Sequence, residues 1–438
     1  MATLNKKLCI VLALLAGCDA NNDAETMSVP ATTQSAATAT AWFDLQLQLV
    51  QQTAGFTPPV ASRAFAYSGV ALYESVVHGM PENQSLAGQL HELASVPQPD
   101  GNAVYYWPAV ANAALASIAR QLFAPATAEN VAAIDELEGN LAASYTDEAG
   151  PLVLERSAAY GRAVAIAIFE WSRSDGGDEG YLHNFPTSYV PPSGPGLWVP
   201  TPPAFQPAMQ PYWGSNRMFW LTPSDCADGA PPEYSEEPCA EFFCEGKEVY
   251  ETSLSLTPEQ EQIARFWADD PMMTATPPGH SISIVTQVLE QNDATLDVAA
   301  EAYAKVSIAV ADAFISCWAM KYQFNVLRPV TYIRAIIDPA WTPLINAPPF
   351  PEYPSGHSAQ SGAAAQVLTD MFGTMGFTDH THDARGLPAR SFDSFFAAAD
   401  EAAISRLYAG IHYRSAIEDG LDMGRCVGVT VSALPVRR

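Results

Sequence analysis

The sequence predicts an all-α protein: two four-helix-bundle-like halves with long Pro- and aromatic-rich connecting loops. Three observations carry this. Apolar residues recur at helical spacing along most of the chain, while period-two strand patterns are scarce. Ala, Gly and Ser crowd several of these helical stretches, which lets helices approach closely. Ala64-Phe65-Ala66 followed by Val70-Ala71-Leu72 is echoed at the same spacing by Ala302-Tyr303-Ala304 followed by Ile308-Ala309-Val310, as two similar bundles would require.

The first residues read as an export signal, not as fold. Lys6 and Lys7 precede an apolar run at 8–16, and Leu15-Ala16-Gly17-Cys18 has the form of a lipobox. Residues 1–17 are therefore expected to be a lipoprotein signal peptide, with Cys18 lipidated. The product would be held at the periplasmic face of a membrane, the inner one if Asp19 acts as a retention signal. Residues 18–40, rich in Ala, Thr, Ser and Asn without apolar period, read as a disordered tether. No later stretch has the 18 or more consecutive apolar residues of a membrane span.

The charge balance excludes some partners. There are 21 Lys+Arg against 48 Asp+Glu, a net charge of −27. Losing Lys6 and Lys7 with the signal makes it more negative still. Such a surface repels nucleic acid and anionic lipid, so membrane contact is expected through the lipid anchor only.

The first bundle is expected at 41–183, with helices over 61–77, 109–123, 127–145 and 155–172. Residues 184–256 follow as an irregular excursion, dense in proline up to Pro238 and carrying Trp198, Trp213, Phe219 and Trp220; so many prolines exclude a long helix there. Cys226, Cys239 and Cys244 cluster in this segment. In an oxidising compartment one loop disulfide among the three is expected, its pairing left open. The second bundle is expected at 257–438, with helices over 257–268, 296–322, 358–373, 391–411 and 416–434.

Chemistry concentrates in the second half. In the stretch KYQFNVLRP (321–329), Lys321 and Arg328 are two turns apart on a continuous helix, and so would share one face among apolar and aromatic neighbours. Buried cations need an anion. In Pro354-Ser355-Gly356-His357, a Ser-Gly pair stands just before a small-residue helical run. A helix start offers free N–H groups and a positive dipole end to an anion. In the stretch SRLYAGIH (405–412), Arg406 is followed by His412, with Gly410 loosening the turn between them. Singly, these patterns are equally explained as two snorkelling cations, a helix cap and a core histidine.

In this order and spacing, the three motifs resemble the signature of the vanadium-dependent haloperoxidases. The same signature belongs to the related type 2 phosphatidic acid phosphatases and bacterial acid phosphatases. The resemblance implies that Lys321, Arg328 and Arg406 neutralise the oxygens of a bound vanadate, with phosphate as a competing oxyanion. It implies that Ser355 and the Gly356 N–H add hydrogen bonds and that His412 ligates vanadium. His357, His412 and Lys321 would be the catalytic residues. Hydrogen peroxide, a halide and a small organic acceptor would be the reactants, and hypohalous acid the product.

The alternative at the same site is a periplasmic phosphatase with a phosphohistidine at His412. The length of the body favours the peroxidase branch. So do Trp318 and Phe350, which match the aromatic halide pocket of the fungal chloroperoxidases. The stretch 263–278 also resembles a chloroperoxidase segment whose carboxylate pairs with the arginine matched by Arg406, and this places Asp270 in that role. In one respect the chain departs from the family: Ala416 stands where an Asp usually follows the second histidine, with Glu418 or Asp419 as expected substitutes. The acidic and histidine-bearing stretch Asp379-His380-Thr381-His382-Asp383 is expected to be a solvated loop, with a second metal site as the other reading.

Overall fold

The computed structural model describes residues 28–222, 225–238 and 240–438. The signal segment, including Cys18, lies outside them. The first half holds α1 (Ala37–Gln52), α2 (Pro58–Val76), α3 (Trp107–Leu122), α4 (Ala128–Ser144) and α5 (Pro151–Ser172). After the excursion come α6 (Glu241–Leu254), α7 (Pro258–Phe266), α8 (Thr276–Gln291), α9 (Leu296–Phe324) and α10 (Pro329–Ile336). The chain closes with α11 (Gly356–Phe372), α12 (Phe395–Tyr408) and α13 (Arg414–Ser432). Two short strands, β1 (Phe377–Asp379) and β2 (Arg390–Phe392), pair antiparallel between α11 and α12.

Local chemistry sets several boundaries. Prolines open α2, α3 and α5, where a missing N–H costs nothing. Thr257 and Gln260 form a reciprocal capping box at the start of α7. The long α9 stops at Asn325, whose left-handed backbone (φ 50°) turns the chain back.

The two halves share one continuous hydrophobic core. Its axis is the crossing of α2 and α9, the two helices that carry the echoed sequence. A Cβ at Gly69 would lie 2.5 Å from Ser307 Oγ and 2.7 Å from the Tyr303 carbonyl, so glycine sets that approach. Around this axis α3 packs on α5 and α2, α8 on α1, α2 and α9, and α11 on α9, α12 and α13.

Several expectations are corrected. The tether at 18–40 is too long: Ala31 is fully buried, and α1 begins at Ala37 with Thr38, Ala39 and Thr40 buried. A polar, small-residue composition had masked an amphipathic start. The excursion at 184–256 ends early, because α6 occupies Glu241–Leu254 with Phe242, Gly246 and Val249 inward. The cysteines do not close a loop among themselves. Cys226 pairs with Cys426 of α13, a separation of 200 residues, while Cys244 is free; Cys239 lies outside the described residues.

Candidate active site

Five helix ends and the loop after α12 converge on one cavity of about 510 Å³. Gly356, His357, Arg406 and His412 line it, together with Phe314, Trp318 and Phe350. The three motifs do meet, but not by the local geometry their spacing suggests. Lys321 lies in the last turn of α9, whereas Arg328 is the extended cap residue just before α10, after a break. His412 sits beyond the end of α12, past the left-handed Gly410 (φ 78°). One continuous helix through either pair is therefore wrong. The breaks are what turn Arg328 and His412 toward each other.

Lys321, Arg328 and Arg406 are all essentially inaccessible to solvent. Among the described residues none of them makes an ion pair with a carboxylate. Lys321 Nζ donates to the carbonyls of Pro351, Glu352 and Pro354. Burial lowers its pKa to about 8. Arg328 donates to the carbonyls of Phe350 and Ile411 at 2.9 Å, and its Nη1 lies 3.2 Å from His412 Nε2. Arg406 donates to Ser405 Oγ at 2.8 Å and to the Ala264 carbonyl at 3.2 Å. Burial lowers both guanidinium groups to about 10.

His412 is oriented by a residue the sequence reasoning missed. Its Nδ1 is 2.7 Å from Glu352 Oε1, and the same oxygen accepts the Tyr413 N–H at 2.9 Å. A carboxylate at Nδ1 fixes the proton there and leaves the Nε2 lone pair facing the cations. Burial, then the charges of Arg328 and Lys321, holds the His412 pKa well below the usual value, so the ring is neutral. Glu352 itself is raised to about 8 by burial, against the pull of Arg328 and Lys321. The signal for Glu352 was available in the sequence: a lone acid between Pro351 and Tyr353-Pro354, in an apolar stretch, needs a partner.

The expected substitutes at 418 and 419 do not reach His412. Asp419 accepts from the Tyr353 hydroxyl at 2.6 Å, and Glu418 pairs with Arg414 at 3.4 Å. Ala416 is buried, and its carbonyl takes the Ser355 N–H. Asp270 is exposed at the cavity wall and makes no ion pair with Arg406. Its neighbour Asp269, buried, contributes more to the electrostatics of Arg406.

Ser355 caps α11 and is buried, accepting the Ser358 N–H at 3.3 Å. Gly356 opens the helix onto the cavity, and a Cβ there would make only ordinary contact, 3.5 Å from Trp318. His357 Nε2 is buried without a partner. Burial, then the charge of Arg406, holds this ring well below its usual pKa, while a hydrogen bond to the Trp267 backbone acts the other way. Trp318 and Phe350 pack with ring centroids 4.9 Å apart, and Lys321 Nζ lies 5.1 Å from the Phe350 ring.

The donor set fits a tetrahedral oxyanion. Among the described residues it has three buried cations that make no ion pair, a helix N-terminus, a nitrogen lone pair on His412 and an unpartnered nitrogen on His357. Vanadate and phosphate share this shape and charge.

The stretch Asp379-His380-Thr381-His382-Asp383 is not simply a solvated loop. His380 and Asp383 are exposed and pair with each other, but Asp379 and His382 are buried beside His280 and Asp269.

Residues 301–340 and 334–436 match a family model described as the VCPO second helical-bundle domain. Vanadium chloroperoxidase of Curvularia inaequalis is 24% identical over 486 residues, covering 84% of this chain and 77% of the relative. The crystal structure of the first bacterial vanadium-dependent iodoperoxidase superposes with a TM-score of 0.84. It is 38% identical and covers 93% of this chain and 98% of that one. The holo-type bacterial vanadium-dependent chloroperoxidase shares the fold at a TM-score of 0.63 and 16% identity, with 88% of this chain and 95% of the other covered.

Proposed function

The chain belongs to the vanadium-dependent haloperoxidases: it is an oxidoreductase that uses vanadate, hydrogen peroxide and halide, and we propose that iodide is the halide it oxidises best. The observation that carries the oxyanion chemistry is the set of buried cations, none in an ion pair among the described residues, beside the His412 lone pair. Bound vanadate supplies Lewis acidity toward peroxide without changing its own oxidation state.

The residues divide the remaining work. Lys321, Arg328 and Arg406 neutralise the anion, and the start of α11 adds N–H donors from Gly356 and the residues after it. His412 Nε2 would ligate the metal while Glu352 holds the proton at Nδ1. His357, kept neutral, accepts a proton at Nε2 from incoming hydrogen peroxide. Trp318 and Phe350 give the halide an apolar wall beside the Lys321 charge. Iodide, the largest and least tightly hydrated of the common halides, loses least on entering such a wall. The 38% identical relative is an iodoperoxidase.

The test uses phosphate-free protein with and without vanadate. Triiodide formation, monochlorodimedone bromination and chlorination, and p-nitrophenyl phosphate hydrolysis are measured side by side. Vanadate-dependent oxidation with the highest kcat/KM for iodide is the expected result. A higher value for bromide or chloride removes the iodide assignment. Hydrolysis without any halide oxidation would move the chain to phosphoryl transfer.

We further propose that the protein is exported and lipidated at Cys18. The Cys226–Cys426 disulfide supports an oxidising compartment. Labelled palmitate should enter the wild type and not Cys18→Ala.

A further inference from the structure

A buried circuit of side chains surrounds the segment between α7 and α8. His280, on the first turns of α8, is 2.8 Å from Asp269 through Nδ1 and 2.7 Å from Asp379 through Nε2. His382 Nε2 lies 3.2 Å from the other oxygen of Asp269. All four residues are at most 2% exposed. The Trp267 ring stacks on His280 with centroids 4.4 Å apart and planes 15° apart.

The indole N–H of Trp267 donates to Glu401 at 3.0 Å, and Glu401 pairs with Arg390 at 2.6 Å. Arg390 stands opposite Asp379 in the strand pair, which closes the circuit. The β-hairpin thus clamps 267–269 against α8. The clamped backbone is strained at Asp269, whose φ is 48°. Such conformations persist only where the surroundings over-determine them.

The segment so held touches the cavity at the acid–base histidine. The His357 ring donates to the Trp267 carbonyl, and Asp269 lines the cavity. The charged groups facing His357 are Arg406, Asp269 and His280. Arg406 is fixed separately, by Ser405 and the Ala264 carbonyl.

We propose that the Asp379–His280–Asp269 chain is a positioning device that sets the orientation and proton affinity of His357, with His280 as its central residue. The inference rests on the peroxidase reading for its kinetic consequence but not for its geometry. Proton accounting favours a hydrogen-bonded chain over a metal centre. Asp269 and Asp379 are held ionised and can only accept, so a His280 bridging them carries a proton on each nitrogen and has no lone pair to give. Burial alone would lower the pKa of His280; the charges of Asp269 and Asp379 outweigh this and raise it to about 10.

The test compares wild type with His280→Gln and with Asp379→Asn, which keeps the shape of the hairpin residue should the first variant not fold. In vanadate-free protein, the His357 ring is titrated by NMR with labelled histidine. In vanadate-loaded protein, kcat/KM for peroxide is followed against pH, and vanadate affinity is measured by dialysis. The expected result is a His357 titration moved by about half a pH unit or more. With it should come a fall of about tenfold or more in kcat/KM for peroxide, the scale seen when an outer partner of a site histidine is lost. Vanadate affinity should change far less. An unmoved His357 titration and unchanged pH profile in a folded variant overturn the proposal. So does a stoichiometric divalent metal in purified wild type that His382→Gln removes. Wild type that oxidises no halide defeats the peroxidase reading alone, since the NMR arm still decides the positioning role.

Discussion

Glu352 and His412 are 60 residues apart in sequence and 2.7 Å apart in space, and the carboxylate fixes which ring nitrogen of the histidine stays free. The arrangement replaces the aspartate expected at the position of Ala416 with an acid supplied from the opposite side, by the segment that leads into α11. Above about pH 8, where Glu352 is ionised, Glu352→Gln should keep the shape and lose the charge, weakening vanadate binding by about tenfold or more. Glu352→Ala should also strand the Tyr413 N–H and the His412 Nδ1–H, costing about 1–3 kcal/mol for each unpaired group. Equilibrium dialysis and thermal melting separate the two effects. Unchanged vanadate affinity in Glu352→Ala would remove Glu352 from the site.

Asp419 tests the opposite expectation. It holds Tyr353 and not His412. Asp419→Ala should lower stability by about 1 kcal/mol while leaving vanadate affinity unchanged. Ala416→Asp should not improve the enzyme, because it places a carboxylate at a fully buried position whose backbone carbonyl supports Ser355. A gain in vanadate affinity in Ala416→Asp would contradict this.

The aromatic wall offers a third test. Trp318→Ala should cost about 3–5 kcal/mol of stability through the cavity it leaves. Trp318→Phe should be milder, losing the 3.4 Å indole bond to the Met209 carbonyl. Both should alter the ratio of iodide to bromide turnover. A ratio that stays fixed while total activity falls would make Trp318 a core residue only.

Stability should depend on pH through His280. Its pKa in the folded protein, about 10, lies above the ordinary value of 6.5. A group raised on folding stabilises fully below its unfolded pKa, and that contribution is lost as pH rises through the folded one. Wild type should therefore lose stability between about pH 6.5 and 10 to a degree that His280→Gln does not. Parallel denaturation curves for the two proteins across that range would refute the assignment.

Removing the Cys226–Cys426 bond, by reduction or by Cys226→Ser, should lower the thermal midpoint. A bridge closing so long a loop contributes about 2–4 kcal/mol. An unchanged midpoint would mean that the loop is held by its other contacts, such as Asp312 with the backbone of 219–221.

The helical class and the cluster of oxyanion residues were legible because both depend on residue type at short spacing. Gly356, Arg406 and His412 line one cavity with Arg328 against His412, while Lys321 and Ser355 are buried on backbone partners nearby. The partners of those residues were not legible. Glu352, Asp269 and His280 act through contacts set by the breaks after Phe324, Phe266 and Tyr408, and a periodicity argument runs straight through such breaks. Asp270 follows from the motif and feels the charge of Arg406 but makes no ion pair with it, while the buried Asp269 beside it engages His280 and His382, which a sequence does not display. The 379–383 stretch looked solvated because polar residues usually are, and half of it is. α1 and α6 were missed because small or acidic residues dilute their apolar faces.

The crossing of α2 and α9 bears on what the smallest working unit of this enzyme can be. The helix that ends at Lys321 is clothed along its earlier turns by the first half of the chain, with Gly69 pressed against Ser307. A fragment restricted to 257–438 would carry the three motifs with a naked apolar flank. Trimming toward the dimensions of a simple phosphatase would call for a redesigned exterior on α9, because the first half serves the catalytic half as its missing surface.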